Sequence, residues 1–443
     1  MENLSALPAM EKDVQTRYCV FELLESVLGK KQPFDTVFDR VLKRYPVFDG
    51  RDIAFTREMS MTALRRKGQV DAILTKLSDR PLEKIDPQAA VNLLRLGAVQ
   101  LLFMDVRDHA AVDTTVKLAE AMGLDRQKGF INGILRSVGR KGEALLKAQE
   151  NDAGRLNTPD WLWKIWVKDF GADIAAKIAD AHLSPAPVDI TVKGDVEKWA
   201  ADLEGQLLPN NSIRLKKSGR VTALPGYEDG VWWVQSAAAA VPAGIMDGAV
   251  KGQRVIDFCA APGGKTMQLA AYGAAVTAVD ISKNRLKRLE ENLLRCHLNA
   301  DIVIADGKKW QPDATVDAVL IDAPCTATGT IRHQPDVLHL KTADDMRRMV
   351  ETQKAILKNA AMAVKPGGML VYCTCSLQKA ESEDIIKSFL NDNKDFKVSV
   401  VSKDEAPWLE EALTPEGWIR ILPFHLKEYG GMDGFFIARL IRC

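Results

Sequence analysis

No apolar run in this sequence approaches the roughly 20 residues that a membrane-spanning helix needs, so no such helix is expected. The segment from Met1 to Lys12 also lacks the basic-then-apolar pattern of a secretory signal, and a cytoplasmic protein is the reading that follows. Cysteines are few and scattered: Cys19, Cys259, Cys296, Cys325, Cys373, Cys375 and Cys443. An odd set in a long chain argues against a disulfide framework and for a reducing compartment. No CxxC pair is present, which argues against a zinc site, and no metal is expected. An excess of one charge is missing too. Lys and Arg number 60 against 59 Asp and Glu, and residues 1–150 carry 24 against 21. That balance gives no general signal for nucleic acid. Any RNA contact has to come from local patches, such as Arg65-Arg66-Lys67, Arg214 to Arg220 or Lys283 to Arg288, and each alone reads as a solvated face.

What is present is a long globular chain. Its 443 residues exceed one ordinary domain, and 47% are hydrophobic, enough for a sizeable core. Residues 12–145 read as helices. Val20, Leu23, Leu24, Val27 and Leu28 make one buried stripe, and Val91 to Met104 and Val112 to Met122 are further helices. Gly139 to Gly142 and the polar stretch Gln149 to Asn157 mark the expected end of this domain. A small α+β domain is expected next, over residues 149–233. It has a helix from Trp161 to Phe170 and short strands at Val188 to Val192, Ile213 to Leu215 and Arg220 to Leu224. From Gly252, within a domain expected over 234–443, strands and helices alternate, which predicts an α/β fold with a parallel sheet. The strands are Arg254 to Cys259, Ala275 to Asp280, Asp301 to Ala305, Val316 to Asp322 and Met369 to Cys375. Trp418 to Leu422 and Phe435 to Leu440 follow as an antiparallel pair.

Parallel strands end along one edge, where such sheets bind ligands. The first five ends carry Cys259-Ala260-Ala261-Pro262-Gly263-Gly264-Lys265, then Asp280, Asp306, Asp322-Ala323-Pro324-Cys325, and Cys375. Gly263 and Gly264 permit a sharp bend and open a helix whose free N–H groups attract an anion such as a carboxylate. Asp280 suits a ribose diol, and Asp306 suits an adenine amino group. An adenosine-like ligand with a carboxylate tail fits this set. Gly264-Lys265-Thr266 resembles the end of a phosphate-binding P-loop, but that motif needs a glycine where Cys259 stands, and GxGxxG is absent. A nucleoside triphosphatase is therefore the weakest alternative.

Cys19, Cys296, Cys443 and the deeper Cys373 read as core residues. Cys325 and Cys375 differ, because they end neighbouring strands beside the expected ligand. A thiolate can attack carbon-6 of a cytosine and so activate carbon-5 for methylation. Asp322, when protonated or partly so, is placed to hold the ring at nitrogen 3 and the amino group, Lys265 to steady the charge of Asp322 or of the cofactor carboxylate, and Cys325 to assist release of the product.

Three blocks carry a family resemblance: DFCAAPGGKT (257–266), DAPCTATGT (322–330) and YCTCS (372–376). They resemble the signature blocks of the RNA cytosine-C5 methyltransferases, in the same order. GMDGFFIARL (431–440) resembles the family's closing strand. The resemblance implies a Rossmann-like catalytic domain over 234–443 that uses S-adenosyl-L-methionine. It implies Cys375 as nucleophile, Cys325 in product release, and cofactor contacts from Cys259 to Lys265, Asp280, Asp306 and Asp322. LLRLGAVQLLFMDVRDHAAVDTTVKLA (93–119) and GFINGILRSVGR (129–140) resemble the antitermination-factor NusB-like helical domain, expected over 1–148. Joined to this core, that domain is similar to bacterial members acting on small-subunit (16S) ribosomal RNA, so RNA or an assembling particle is the implied partner of a monomeric enzyme. Two departures stand out: Gln235-Ser236-Ala237 where the family has Gln-Asp, and Asp189 to Lys193 where an Arg and an Asn are usual. A non-catalytic RNA-binding assembly factor on the same fold is the main alternative.

Overall fold

The computed structural model describes residues 10–78, 80–216 and 219–443, and these fall into two compact units. Met1 to Ala9, and Lys217 within the basic stretch Arg214 to Arg220, lie outside the described residues.

One unit comprises residues up to 184 together with 333–341. It is helical among its described residues. Helix Lys12–Leu24 runs on into a wider turn over Glu25–Gly29, and Val20, Leu23, Leu24 and Val27 are all buried, as their spacing predicts. Helices Gln88–Phe103 and Asp108–Ala121 pack with Asp125–Lys147. This last helix overrides the expected break at Gly139 to Gly142. Its face of Ile131, Ile134, Leu135 and Val138 is buried, and that packing outweighs the weak helix propensity of glycine. Gly142 packs tightly, since a Cβ there would stand 2.6 Å from Leu102. Residues 333–341 join this unit through Asp336, which accepts the Phe34 N–H at 2.9 Å, and His339, whose Nε2 is 2.8 Å from Leu64 O. Helices Asp160–Phe170 and Ala172–Ala181 also belong here rather than with the strands that follow them.

The other unit holds residues 185–332 and 342–443 and contains two sheets. The smaller is antiparallel: β1 (Asp189–Val192), β2 (Gln206–Leu207), β3 (Ile213–Arg214) and β4 (Trp232–Val234), ordered β2-β3-β1-β4. The strand expected at Arg220 to Leu224 is instead a single 3₁₀ turn, Val221–Ala223.

The larger sheet contains β5 (Arg254–Phe258), β6 (Ala275–Asp280), β7 (Asp301–Ile304), β8 (Val316–Asp322), β9 (Val364–Thr374), β10 (Phe396–Val398), β11 (Ile419–Ile421) and β12 (Phe435–Arg442). Its order is β10-β12-β9-β8-β5-β6-β7, with β11 also on β12. From β9 to β7 all pairs are parallel, while β12 runs antiparallel to β9, β10 and β11. β10 and β4 carried too few residues to be seen as periodic patterns. The order reverses between β5 and β8, and that crevice is the switch point where a doubly wound sheet binds its ligand.

The basic patches are only partly solvated. Arg65 is buried and Arg66 lies over the Phe103 ring. Arg214 is buried, pairs with Asp189 through Nε and Nη2 at 2.7 and 2.9 Å, and donates to Tyr429 O and Gly431 O. Cys19 and Cys296 are core residues as expected, but Cys443 is exposed, because it follows the last strand.

Candidate active site

β5 stops at Phe258 and the chain bends at once. Cys259 and Gly263 both have left-handed backbones, with φ of 61° and 106°. Gly263 caps helix Gly264–Ala271, and a Cβ on it would lie 2.8 Å from the Leu289 side chain. Glycine therefore permits both the turn and the packing there. Ala260 and Ala261 are buried and Pro262 is exposed. Beneath the loop lies the fully buried Asp257, which accepts the Thr266 hydroxyl at 2.6 Å. Burial pushes its carboxyl up to about 7. Burial likewise raises the Cys259 thiol.

Asp280 ends β6 and is only 3% exposed. Its oxygens accept Ser282 N–H at 2.9 Å and Ala261 N–H at 3.2 Å, which ties the β6 end to the glycine loop. Arg285 sits 3.6 Å away and donates to Ala261 O. Asp306, beyond β7, accepts Lys308 N–H at 3.0 Å and is part-exposed. The two carboxylates and the first-turn N–H groups of the helix form a donor and acceptor set that fits an adenosine with a charged tail. Asp280 fits least freely, because both its oxygens are already engaged.

Lys265 and Asp322 meet across the switch point. Lys265 Nζ donates to Asp322 Oδ2 at 2.7 Å and stands 5.1 Å from the Phe435 ring centroid. Burial opposes the ammonium charge, but the Asp322 carboxylate more than offsets it and the Lys265 pKa is raised. Cys373, in register with Asp322 on the adjacent strand, is buried as expected and places its Sγ 3.7 Å from Asp322 Oδ1.

Next to this pair the two cysteines come together. Cys325 follows β8 and Cys375 follows β9, and their sulfurs are 3.4 Å apart. Both are partly accessible. The hydrogen bond to Cys325 and then burial raise the Cys375 pKa well above the ordinary thiol range, so in this state it carries its proton. Gly329 joins the two loops. Its N–H donates to Cys375 O at 2.7 Å, and its carbonyl accepts Gly434 N–H at 2.9 Å.

Sequence reasoning missed a buried polar layer behind the cysteines: Thr326, Thr328, Gln353, Ser376, Gln378 and Glu381. Hydroxyls directly following both cysteines were the available signal. The departures also find their places. Ser236 caps helix Ala237–Gly244 by accepting Ala239 N–H, a role an Asp would fill equally. Gln235 is buried and accepts from Thr191 and Trp233 while donating to Gln268. Lys193, within the second departure, donates to Cys296 O.

Comparison with known proteins places the chain in a family. The 16S rRNA methyltransferase RsmB/F family matches residues 247–441, and the NusB family matches residues 14–140. Ribosomal RNA small subunit methyltransferase B of Cronobacter sakazakii is 31% identical over 453 residues, covering 98% of this chain and 100% of that protein. The protein of the same name from Klebsiella pneumoniae strain 342 is 32% identical, covering 98% of this chain and 99% of its own. The crystal structure of NSun6 from Pyrococcus horikoshii has the same fold over 64% of this chain and 98% of that one, with 22% identity and a TM-score of 0.55. The NusB-like helical domain, the Rossmann-like sheet and full-length identity above 30% place this chain in the RsmB/F family of 16S rRNA methyltransferases.

Proposed function

We propose that the chain methylates carbon-5 of a cytosine in 16S ribosomal RNA, through a covalent bond from Cys375 to carbon-6. The observation that carries this reading is the 3.4 Å approach of Cys325 and Cys375 beside the Lys265–Asp322 pair. The names of the full-length relatives support ribosomal RNA as substrate. Residues 259–265, Asp280, Asp306 and Asp322 would hold S-adenosylmethionine, which would supply the methyl group.

The chain's own residues account for the rest. Cys375 passes its proton to solvent, and the resulting thiolate bonds to carbon-6, which moves the electron pair of the carbon-5–carbon-6 double bond onto carbon-5 and nitrogen 3. Asp322 accepts the amino N–H of the base, and the Lys265 ammonium behind it offsets the charge that develops. After methylation, carbon-5 still holds a hydrogen. Cys325, acting as a thiolate, takes that proton; the carbon-5–hydrogen electron pair re-forms the double bond and Cys375 leaves carbon-6 as a thiolate.

RNA containing 5-fluorocytosine tests the reading, because fluorine cannot leave as a proton and the adduct persists. Wild type forms a stable covalent complex and Cys375→Ala forms none. Cofactor binding without any adduct would instead favour an assembly factor. Calorimetric binding of ATP but not S-adenosylmethionine would favour a nucleoside triphosphatase.

A further inference from the structure

Glu381 belongs to none of the three signature blocks. It lies in a 3₁₀ turn, Lys379–Glu381, and is fully buried. Its Oε1 accepts Thr326 N–H at 3.0 Å and Gln353 Nε2 at 3.2 Å. Its Oε2 accepts the Thr326 hydroxyl and, at 2.6 Å, the Ser376 hydroxyl. Thr326 directly follows Cys325, and Ser376 directly follows Cys375. One carboxylate thus bonds to the neighbour of each cysteine in the pair. Gln353 extends the clamp by donating to Pro324 O at 2.8 Å, on the other side of Cys325. Arg420 secures the far side of the second loop by donating to Ser376 O at 2.9 Å.

From this we infer that Glu381 is a positioning residue that sets the spacing of the two cysteines, an inference that rests on the catalytic reading above. The loops after β8 and β9 hold their sulfurs at 3.4 Å, and a buried carboxylate with four donors is the element common to both. Reach matters here more than charge. Ser376 has one hydroxyl proton and two acceptors nearby, Glu381 Oε2 at 2.6 Å and Gln378 Oε1 at 2.7 Å. An amide at position 381 keeps the bonds from Thr326 N–H and Gln353 on its oxygen, while its two N–H groups face the Ser376 and Thr326 hydroxyl oxygens that the carboxylate accepts from. A shorter aspartate keeps the charge but cannot span both loops.

The test compares E381Q, E381D and E381A in the full-length protein. Each is measured for turnover on RNA, for S-adenosylmethionine affinity, and for the rate at which diamide joins Cys325 to Cys375. In that last reaction two thiols lose two electrons and two protons to the diamide, and the product is read by peptide mass spectrometry. A displacement near 1 Å at reacting atoms lowers rates about 100-fold. E381A and E381D are therefore expected to lose turnover on that scale and to form the disulfide more slowly, with unchanged cofactor affinity, while E381Q restores most of both. Two results overturn the inference: E381D matching wild type while E381Q fails, or a wild-type disulfide rate in E381A. Cys375→Ala run alongside separates the two levels, because turnover in that variant rejects the catalytic reading itself, whatever position 381 does.

Discussion

Replacing Gly329 with alanine tests the cysteine arrangement through the backbone alone. A Cβ at this position would stand 2.0 Å from Gly434 O and 2.6 Å from Cys375 O. Ordinary contacts begin near 3.4 Å, so the first approach is short by about 1.4 Å. Both obstructing atoms are main chain, and no rotamer change relieves them. The loop must therefore move away from Cys375 and β12, breaking Gly329 N–H to Cys375 O and Gly434 N–H to Gly329 O. Two buried hydrogen bonds at about 1 kcal/mol each, with about 1–3 kcal/mol for overpacking, give a destabilisation of roughly 3–5 kcal/mol. Because Cys325 rides on the same loop, turnover should fall about 100-fold for a shift near 1 Å. Transfer of labelled methyl groups to RNA gives the rate, thermal unfolding gives the stability, and calorimetry gives cofactor affinity, which should hold because the glycine loop ends a different strand. A Gly329→Ala protein with wild-type turnover and melting temperature would falsify the geometric argument.

Cys325→Ala should accumulate the covalent RNA adduct seen on denaturing gels, because attack by Cys375 survives and release does not; normal turnover removes Cys325 from its role. Arg214→Met should lower stability by about 3–5 kcal/mol by leaving Asp189 buried and unpaired, measured by denaturant unfolding, whereas Arg214→Met with Asp189→Leu should recover much of that loss. The pH dependence follows from Asp257. Its pKa is raised in the folded state, so between about pH 4 and 7 the folded protein holds a proton that the unfolded chain has lost. Stability therefore falls as pH rises through this window. Asp257→Asn should flatten that slope in unfolding curves recorded at several pH values, and an unchanged slope rejects the assignment.

Much of the catalytic unit was legible because its strands are uniform. Val316–Asp322 and Ala275–Asp280 were bounded correctly by their apolar runs, and the chemistry sits where those runs stop. The helical stripe from Val20 to Val27 read equally well. Short or unpatterned pieces did not. Trp232–Val234 carries three residues, too few for a period, and Arg220 to Leu224 gave a strand-like pattern where the chain makes a 3₁₀ turn. The helix through Gly139 and Gly142 defied local propensity because its buried face supplied the deciding energy.

By itself the sequence determined the order of the elements, the residues at each strand end and the family. Those follow from local periodicity and from motifs a few residues long. The sequence led to the expectation that these ends adjoin, and only the tertiary structure set the strand order and the distances between them. The reversal of strand order sets Lys265 against Asp322, and parallel pairing of β8 with β9 brings together two sulfurs 50 residues apart. The clamp at Glu381 and the buried fate of Arg214 were likewise beyond sequence reading. A hydrogen bond between distant residues leaves no periodic trace, and a charge in a chain does not declare whether folding will bury it.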